Sequence, residues 1–223
     1  MAYHRTVRVE QQLANNRVRI LQAARRLVSE GGWAEAQVAS IAAAAGLATG
    51  TVYRYFPSKA DLFSEVLAKV SQREVDVIAD IADSGAAPRE RLHDAVFAFA
   101  MRAMRNRSLA YALIAEPCAR EIDAARLVWR QAIGRQIVRI VRAGQADRSF
   151  RAEIDADLAA ALIVGGFMEA LVGPLSPLAL NPDTASDDAG AVAEAIASAC
   201  CACVVRVPAE SVPVAQIHSR RPR

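Results

Sequence analysis

Hydroxyl, aromatic and cationic side chains are concentrated between Val38 and Lys59, in the segment VASIAAAAGLATGTVYRYFPSK. The spacing of its apolar residues predicts a helix that stops at Gly46, where glycine allows a left-handed corner. A second helix of about two turns follows, with Val52 and Phe56 as its apolar i, i+4 pair. The other side chains of this helix are therefore expected on exposed faces. They are the donors that contact phosphates and base edges in nucleic acids, namely Thr49, Thr51, Tyr53, Arg54 and Tyr55.

The wider pattern resembles the DNA-binding domain of the TetR (tetracycline-repressor-like) transcriptional regulators. The resemblance covers roughly residues 17–66 and rests on Gly32-Trp33, Val38, Ile41-Ala42, Ala45-Gly46-Leu47, Gly50-Thr51-Val52-Tyr53, Tyr55-Phe56, Ser58-Lys59 and Leu62. It implies DNA contacts at Gln37, Thr49, Gly50, Thr51, Tyr53, Arg54, Tyr55, Ser58 and Lys59. A helical hairpin with no role in DNA binding is the alternative interpretation.

Two places depart from the family pattern. The family usually has Ser or Thr where this chain has Ala36 and Gln37, and again at Ala48, positions that cap the two short helices. Thr49 is the candidate replacement cap of the second helix, and Gln37 is a candidate phosphate contact.

The charge is distributed unevenly along the 223 residues. The whole chain carries a formal net charge of +3, yet residues 1–60 hold eight Arg or Lys against three Asp or Glu. The remainder is close to neutral. A basic N-terminal unit is suited to a polyanionic partner, whereas the charge of the near-neutral remainder indicates no such partner.

Helical periodicity without any credible strand predicts an all-α protein with about nine helices. The resemblance implies an N-terminal three-helix helix-turn-helix domain over residues 1–60 and a larger helical ligand-binding and dimerisation domain over residues 61–207. The first helix is expected from Asn16, its candidate N-cap, to Glu30, and a long helix from Lys59 to Ala82 is shared by both domains. Residues 208–223, with three prolines, are expected to form a disordered tail.

The last two long helices are apolar nearly all the way round, in the runs AALIVGGFMEALVG and AGAVAEAIASACCACVV. A helix without a polar face must be covered on several sides, either by its own core or by a second copy of the chain. We therefore expect a homodimer through these two helices, with Phe167 and Ile196 at the contact. This agrees with what the family resemblance implies.

The resemblance also implies a small-molecule pocket in the larger domain. Its candidate residues are the large apolar side chains and nearby polar groups Phe97, Met101, Met104, Tyr111, Trp129, Arg130, Ile133, Ile163 and Phe167. Each of these is also an ordinary core or surface residue in other helical proteins. A wall rich in methionine and aromatic residues favours an apolar effector.

Other classes of function find little support. No nucleophile with a base, no carboxylate pair and no metal-ligand set is apparent, so we expect neither an enzyme nor a metal or cofactor. Cys200, Cys201 and Cys203 are interpreted as buried small side chains, with a redox-sensitive cluster as the alternative. No signal region or uninterrupted apolar run of membrane-spanning length occurs, which predicts a cytoplasmic protein with no membrane partner.

The sequence thus favours a dimeric repressor that binds a palindromic double-stranded operator and is released by an apolar ligand. The alternative is a DNA-binding protein of the same fold that ignores small molecules and acts through a protein partner or DNA architecture. The effector, the operator and the direction of regulation are not readable from the residues.

Overall fold

The computed structural model describes residues 2–177 and 188–206, and within these ranges the chain forms nine α-helices. An isolated antiparallel bridge joins Phe150 to Val205. The all-α prediction is confirmed. The tail expected at 208–223 lies outside the described residues. The helices are α1 (Ala2–Glu35), α2 (Val38–Ala45), α3 (Thr49–Tyr55), α4 (Lys59–Ala82), α5 (Pro88–Arg105), α6 (Arg107–Ile114), α7 (Arg120–Ala146), α8 (Ala156–Leu175) and α9 (Ala189–Ala202).

The first helix is longer than its sequence pattern predicts. It begins at Ala2 rather than at Asn16, because no glycine or proline interrupts the segment before Asn16. Asn16 is therefore not a helix cap, and its side-chain amide instead donates to the Tyr55 hydroxyl over 3.3 Å. At the other end, Gly32 adopts a φ of 73° and a ψ of −170°, which kinks the helix. A left-handed φ of this kind is available to glycine at little cost.

The N-terminal core is formed by α1, α2, α3 and the first half of α4. Trp33 and Phe63 meet at its centre, with ring centroids 4.7 Å apart. The same core continues into the C-terminal part of the molecule, since Leu109 and Ala112 of α6 and Ile122 of α7 pack against it. Packing therefore joins the helix-turn-helix to α6 and α7.

Helix α4 connects the two cores. It begins with a capping box in which the Asp61 backbone amide donates to the Ser58 hydroxyl over 3.0 Å, while the Ser58 backbone amide donates to the Asp61 carboxylate. Its first half buries residues such as Phe63 in the N-terminal core, and its second half buries Val75 and Ile78 in the C-terminal core. A displacement of one half is thus transmitted along a continuous helix.

The C-terminal core lies between α4, α5, α7, α8 and α9. Phe99 of α5 packs on Phe167 of α8, with ring centroids 4.9 Å apart. On the surface, the His93 imidazole of α5 lies 3.1 Å from the Glu194 carboxylate of α9 and 3.2 Å from Asp94. Although partial burial opposes it, hydrogen bonds to these two carboxylates raise the pKa of His93 above its usual value. The protonated imidazole therefore strengthens the contact between α5 and α9.

The predicted burial of the three cysteines at the end of α9 holds for two of them. Cys200 and Cys201 are buried, as expected, whereas Cys203 at the helix end is exposed. Burial raises the pKa of the Cys200 thiol to about 12 and that of Cys201 to about 11. Both thiols are therefore protonated near neutral pH and behave as small apolar side chains.

Two glycines of α7 offer a matched test of this packing. A methyl group at Gly144 would overlap the ring of Phe150, which is itself fully buried, whereas nothing lies within 4 Å of the corresponding position at Gly134. We expect Gly144→Ala to lower the free energy of unfolding by about 1–3 kcal/mol through overpacking. Gly134→Ala should raise it by about 0.4–1 kcal/mol, because alanine restricts the unfolded chain. Urea denaturation of both variants checks this, and equal effects of the two substitutions would contradict the packing of Phe150 on α7.

Candidate nucleic-acid interface and effector cavity

The turn between α2 and α3 has the geometry of a helix-turn-helix corner. Gly46 caps α2 in the left-handed region, with φ 64° and ψ 39°, and its amide bonds back to the last turn of the helix. The Leu47 amide donates to the Ala42 carbonyl over 2.9 Å, which closes the turn. On the inner side, Val52 of α3 is buried in the N-terminal core. The corner therefore presents the opposite side of α3 to solvent.

The exposed side of α3 carries the donors that the sequence suggested. Tyr53 is 47% exposed although it is a large aromatic residue, and Arg54 beside it is exposed as well. Thr51, Tyr55 and Lys59 are half-buried. The other predicted contact positions are also exposed, namely Gln37, Thr49, Gly50 and Ser58. All nine predicted positions thus lie in or beside the corner with some accessible surface.

Three of these positions have structural roles of their own. Gln37 precedes α2 without capping it, and its side-chain amide instead donates to the Ala34 carbonyl over 2.5 Å. Ala48 precedes α3, so Thr49 is the first residue of that helix and does not replace the missing cap. The Ser58 hydroxyl is engaged in the capping box of α4. Of the two helices in the motif, neither has a side-chain cap.

The corner is held from behind by polar contacts to α1 and α4. Arg17 of α1 forms an ion pair with Glu65 of α4, and its guanidinium lies 4.6 Å from the centre of the Phe56 ring. The Asn16 amide bonds to the Tyr55 hydroxyl. The Lys59 ammonium lies 5.1 Å from the centre of the Phe63 ring. These contacts fix the end of α3 relative to α1 and α4.

A cavity of about 110 Å³ lies between α4, α5, α6 and α7, with Met168 of α8 on one side. Its wall is mainly apolar, and the polar groups on it come from three arginines, Glu74, Ser71 and Asn106. The lining residues are Leu67, Val70, Ser71, Glu74, Phe99, Arg102, Ala103, Asn106, Leu109, Ala110, Leu113, Ile114, Arg126, Trp129, Arg130, Ile133 and Met168.

Only part of the predicted ligand-binding set meets this cavity. Trp129, Arg130 and Ile133 line it, whereas Phe97, Met101, Met104, Tyr111, Ile163 and Phe167 do not. For the residues of α5, the reason is that the helix carries two apolar stripes and turns the one with Phe99 toward the cavity, rather than the one with Phe97, Met101 and Met104. Tyr111, Ile163 and Phe167 pack with the C-terminal core. The ring of Phe97 stacks on His93 instead.

Apart from Arg130, the charged members of the wall were not predicted from the sequence. Arg102 and Glu74 form a bidentate pair with contacts of 2.6–3.0 Å, and both side chains are largely buried. Arg126 is only 9% exposed. The sequence does hold a signal for them, since Arg102 and Arg126 occur at helical spacing among apolar residues. A charged side chain on such a face is rarely buried without a partner, so this pattern indicates a buried ion pair or hydrogen bond.

Helices α8 and α9 each have one buried face and one exposed face. Phe167 and Ile196, expected at a dimer contact, are instead buried within the protomer, because the apolar side with the larger residues packs on its own core. The exposed face of α8 carries Leu158 and Leu162, which are 57% and 65% exposed. The exposed face of α9 consists mainly of alanine and serine. Apart from Asp157, Glu169 and Glu194, these faces carry apolar or small side chains that allow the close approach of another helix.

The composition of α8 also meets the length and hydropathy criteria of a membrane-spanning helix. Nine of its residues are nevertheless buried within the protomer, which is equally typical of a core helix. Among the described residues, no group of three or more His, Cys, Asp or Glu side chains is arranged to hold a metal ion.

Comparison with known proteins places the corner in a family. Residues 20–66 match the model for bacterial regulatory proteins of the tetR family. The chain is 41% identical over 78 residues to the HTH-type transcriptional repressor KstR of Mycobacterium tuberculosis (strain ATCC 25618 / H37Rv), a match that covers 34% of this chain and 35% of that repressor. The chain thus matches about a third of the length of that relative.

Longer but weaker matches include the C-terminal helices. The HTH-type transcriptional repressor KstR2 of Mycolicibacterium smegmatis (strain ATCC 700084 / mc(2)155) is 27% identical over 151 residues, which is 66% of this chain and 73% of that protein. The crystal structure of the transcriptional regulator FadR from Bacillus subtilis in complex with stearoyl-CoA has the same fold, with a TM-score of 0.70 at 19% identity over 82% of this chain and 96% of that one. Residues 20–66, which build the helix-turn-helix corner, thus match the DNA-binding part of the tetR family of bacterial regulatory proteins.

Proposed function

We propose that this protein is a transcriptional repressor that binds a palindromic operator as a homodimer and releases it when an apolar small molecule enters the cavity. The observation that carries the proposal is the exposed donor face of α3, held on a rigid corner within the basic part of the chain. Exposed aromatic and cationic donors on a short helix are suited to the major groove. A regulator of this kind acts in the cytoplasm.

The DNA contacts divide by position. Thr49, Thr51 and Tyr53 lie on α3 and approach base edges, with Gly50 allowing close approach. Arg54, Tyr55 and Lys59 contact phosphates on one side, and Gln37 and Ser58 contact them at the ends of the motif. Because the hydroxyl and the backbone amide of Ser58 are both engaged in the capping box, Ser58 lies beside the phosphates without offering a free donor of its own.

The second copy of the chain covers the exposed faces of α8 and α9. Leu158 and Leu162 supply apolar area, while the alanines and glycines beside them let the partner helices approach. A two-fold pair places two copies of α3 in successive major grooves, about 34 Å apart, when the helices are suitably spaced. This spacing is the property that an effector controls.

The cavity has the location that control requires. Its wall includes Leu67, Val70 and Glu74, all on α4, and the N-terminal half of the same helix packs behind α3. At about 110 Å³ the empty cavity is smaller than the roughly 300–1,000 Å³ of typical ligand sites. An effector therefore binds a conformation with the helices further apart, and shifts the population toward it. Displacement of α4 in that conformation changes the spacing of the α3 helices.

The two lysines of the chain test the DNA contact. Lys59 lies next to α3, and Lys69 lies on the same helix roughly 15 Å further along the axis. We expect Lys59→Ala to weaken binding to every duplex and to reduce the slope of log K against log salt by about 0.9, the value of one phosphate contact. Lys69→Ala removes the same charge and should leave both unchanged. Anisotropy titrations with a selected and a random duplex measure this, and identical slopes for the two variants would place Lys59 away from DNA.

Two exposed leucines test the dimer. Leu162 of α8 and Leu127 of α7 are 65% and 58% exposed, so both accept a charge without disturbing the protomer core. Leu162→Glu should weaken the dimer by at least about 100-fold, because the carboxylate would be buried at an apolar contact. Leu127→Glu should leave it intact. Light scattering across a dilution series measures the dissociation of the dimer for each variant. Dissociation by Leu127→Glu alone would move the interface to α7.

Filling the cavity tests effector binding. Ala110 lines the cavity and Met101 does not, so Ala110→Phe occupies the space while Met101→Phe serves as the control. Stearoyl-CoA, bound by the FadR structure of similar fold, is a first probe. We expect it to lower the DNA affinity of the wild type and of Met101→Phe by at least about tenfold, and to have no effect on Ala110→Phe. If a panel of apolar compounds leaves wild-type DNA binding unchanged, the alternative without a small-molecule effector replaces this part of the proposal.

A further inference from the structure

The guanidinium of Arg126 is the most deeply buried charge in the described part of the chain. Its Nη2 donates to the backbone carbonyls of Ala112 and Glu116 over 2.5 and 2.7 Å, and its Nη1 donates to the Asp123 carboxylate over 2.7 Å. Its Nε, in contrast, is buried and has no hydrogen-bond partner among the described residues. Arg126 also belongs to the wall of the cavity.

A buried N–H group without an acceptor is costly, and native structures rarely keep one without a reason. Arginine has five N–H donors, and three of those on Arg126 are engaged. A carboxylate that binds a guanidinium side-on takes the Nε hydrogen and a hydrogen of Nη2 together. The unpaired Nε of Arg126 is one half of such a site, and Nη2, the other half, is occupied by the carbonyls of Ala112 and Glu116.

We infer that Arg126 is the anchor for the carboxylate of an otherwise apolar effector, and that this carboxylate displaces a carbonyl of α6 from Nη2. The inference rests on the proposed effector role of the cavity and specifies the chemical class of the effector. It also assigns to one side chain both the recognition of the ligand and the first step of the response.

The charges around the cavity agree with an anionic head group. Its wall contains three arginines, and the one carboxylate among its lining residues, Glu74, is already paired with Arg102. Asp123, the partner of Arg126, is largely exposed and does not line the cavity. Burial and the neighbouring Asp123 carboxylate raise the pKa of the Cys118 thiol to about 11, despite the opposing charge of Arg126, so this thiol is neutral and does not compensate the guanidinium. One further negative charge is therefore favourable here.

The two residues whose carbonyls bind Arg126 also contact Trp33 in the core of the helix-turn-helix. The Ala112 carbonyl accepts from Arg126 and also, over 2.6 Å, from the indole Nε1 of Trp33. The Glu116 carboxylate accepts from the Trp33 backbone amide over 3.0–3.1 Å. Withdrawal of the guanidinium from the end of α6 loosens the segment that holds Trp33. The signal therefore has a second route besides α4.

A matched pair of probes tests the head group in the unmodified protein. An ω-brominated undecanoic acid and the corresponding ω-brominated undecanol have the same chain, and bromine quenches the fluorescence of Trp129 in the cavity wall. We expect the acid to bind at least about tenfold more tightly than the alcohol at neutral pH, the contribution of a charge-assisted hydrogen bond in a buried site. Equal affinities would overturn the carboxylate assignment while leaving an effector cavity. Quenching by neither probe would overturn the cavity as well, so the two failures are distinct.

Two arginine variants locate the anchor. Arg126→Gln should bind the acid and the alcohol with equal affinity, because the charge and the side-on donor pair are absent. Arg135→Gln removes the same charge from the same helix, α7, at an exposed position outside the cavity wall, and should keep the preference. Unchanged alcohol binding shows that the cavity is intact in each variant. Persistence of the preference in Arg126→Gln, or its loss in Arg135→Gln, would overturn the assignment. If Arg126→Gln does not fold, Arg126→Lys keeps the charge but lacks the side-on donor pair, and an unchanged preference in that variant would overturn the assignment as well.

The second route has its own readout, because the chain contains only two tryptophans. In the variant Trp129→Phe, Trp33 is the single emitter, and the hydrogen bond of its indole to Ala112 influences the emission maximum. We expect saturating unbrominated undecanoic acid to shift this maximum, and undecanol to leave it unchanged. Binding of the acid without any shift would exclude transmission through Ala112.

Discussion

The two cores of this protein meet at the carbonyl oxygen of Ala112. A helix leaves its last carbonyls without partners inside the helix, and those at the end of α6 are used by other elements. The Ala112 oxygen accepts from the Trp33 indole of the N-terminal core and from the Arg126 guanidinium of the cavity wall. Both lone pairs of this oxygen are thereby used. A single backbone atom thus ties the helix-turn-helix to the wall of the cavity.

The same junction depends on the kink at Gly32. Because the helix bends there, the backbone amide of Trp33 is released from α1 and bonds to the Glu116 carboxylate instead. A side chain at Gly32 would collide with that carboxylate and would require an unfavourable left-handed conformation. Helix α4 forms a second connection, since one half of it belongs to each core. The position of α3 is therefore defined by two contacts with the larger unit rather than by a flexible linker.

The energetics of the cavity follow from the same arrangement. The charge of Arg126 is offset within the protein by an exposed carboxylate and two carbonyl dipoles, which leaves a buried donor without an acceptor. A ligand that supplies an acceptor for this donor stabilises the buried guanidinium. Under the proposed function, an effector that supplies the missing acceptor would gain affinity from the same contacts that weaken the hold on Trp33.

Local sequence was sufficient for the helices, the glycine corner and the exposed donors of α3, because helical periodicity and the needs of a left-handed turn act over a few residues. It predicted neither the N-terminal extension of α1, for which no boundary signal exists before Asn16, nor the orientation of α5, whose two apolar stripes are equivalent in sequence. Phe167 and Ile196 share the helices of the expected dimer contact but face their own core. Arg126 bonds to the carbonyls of residues 112 and 116, and Trp33 bonds to the same two residues from a position far away in the chain. Such contacts depend on how the helices pack, and only the tertiary structure decides them.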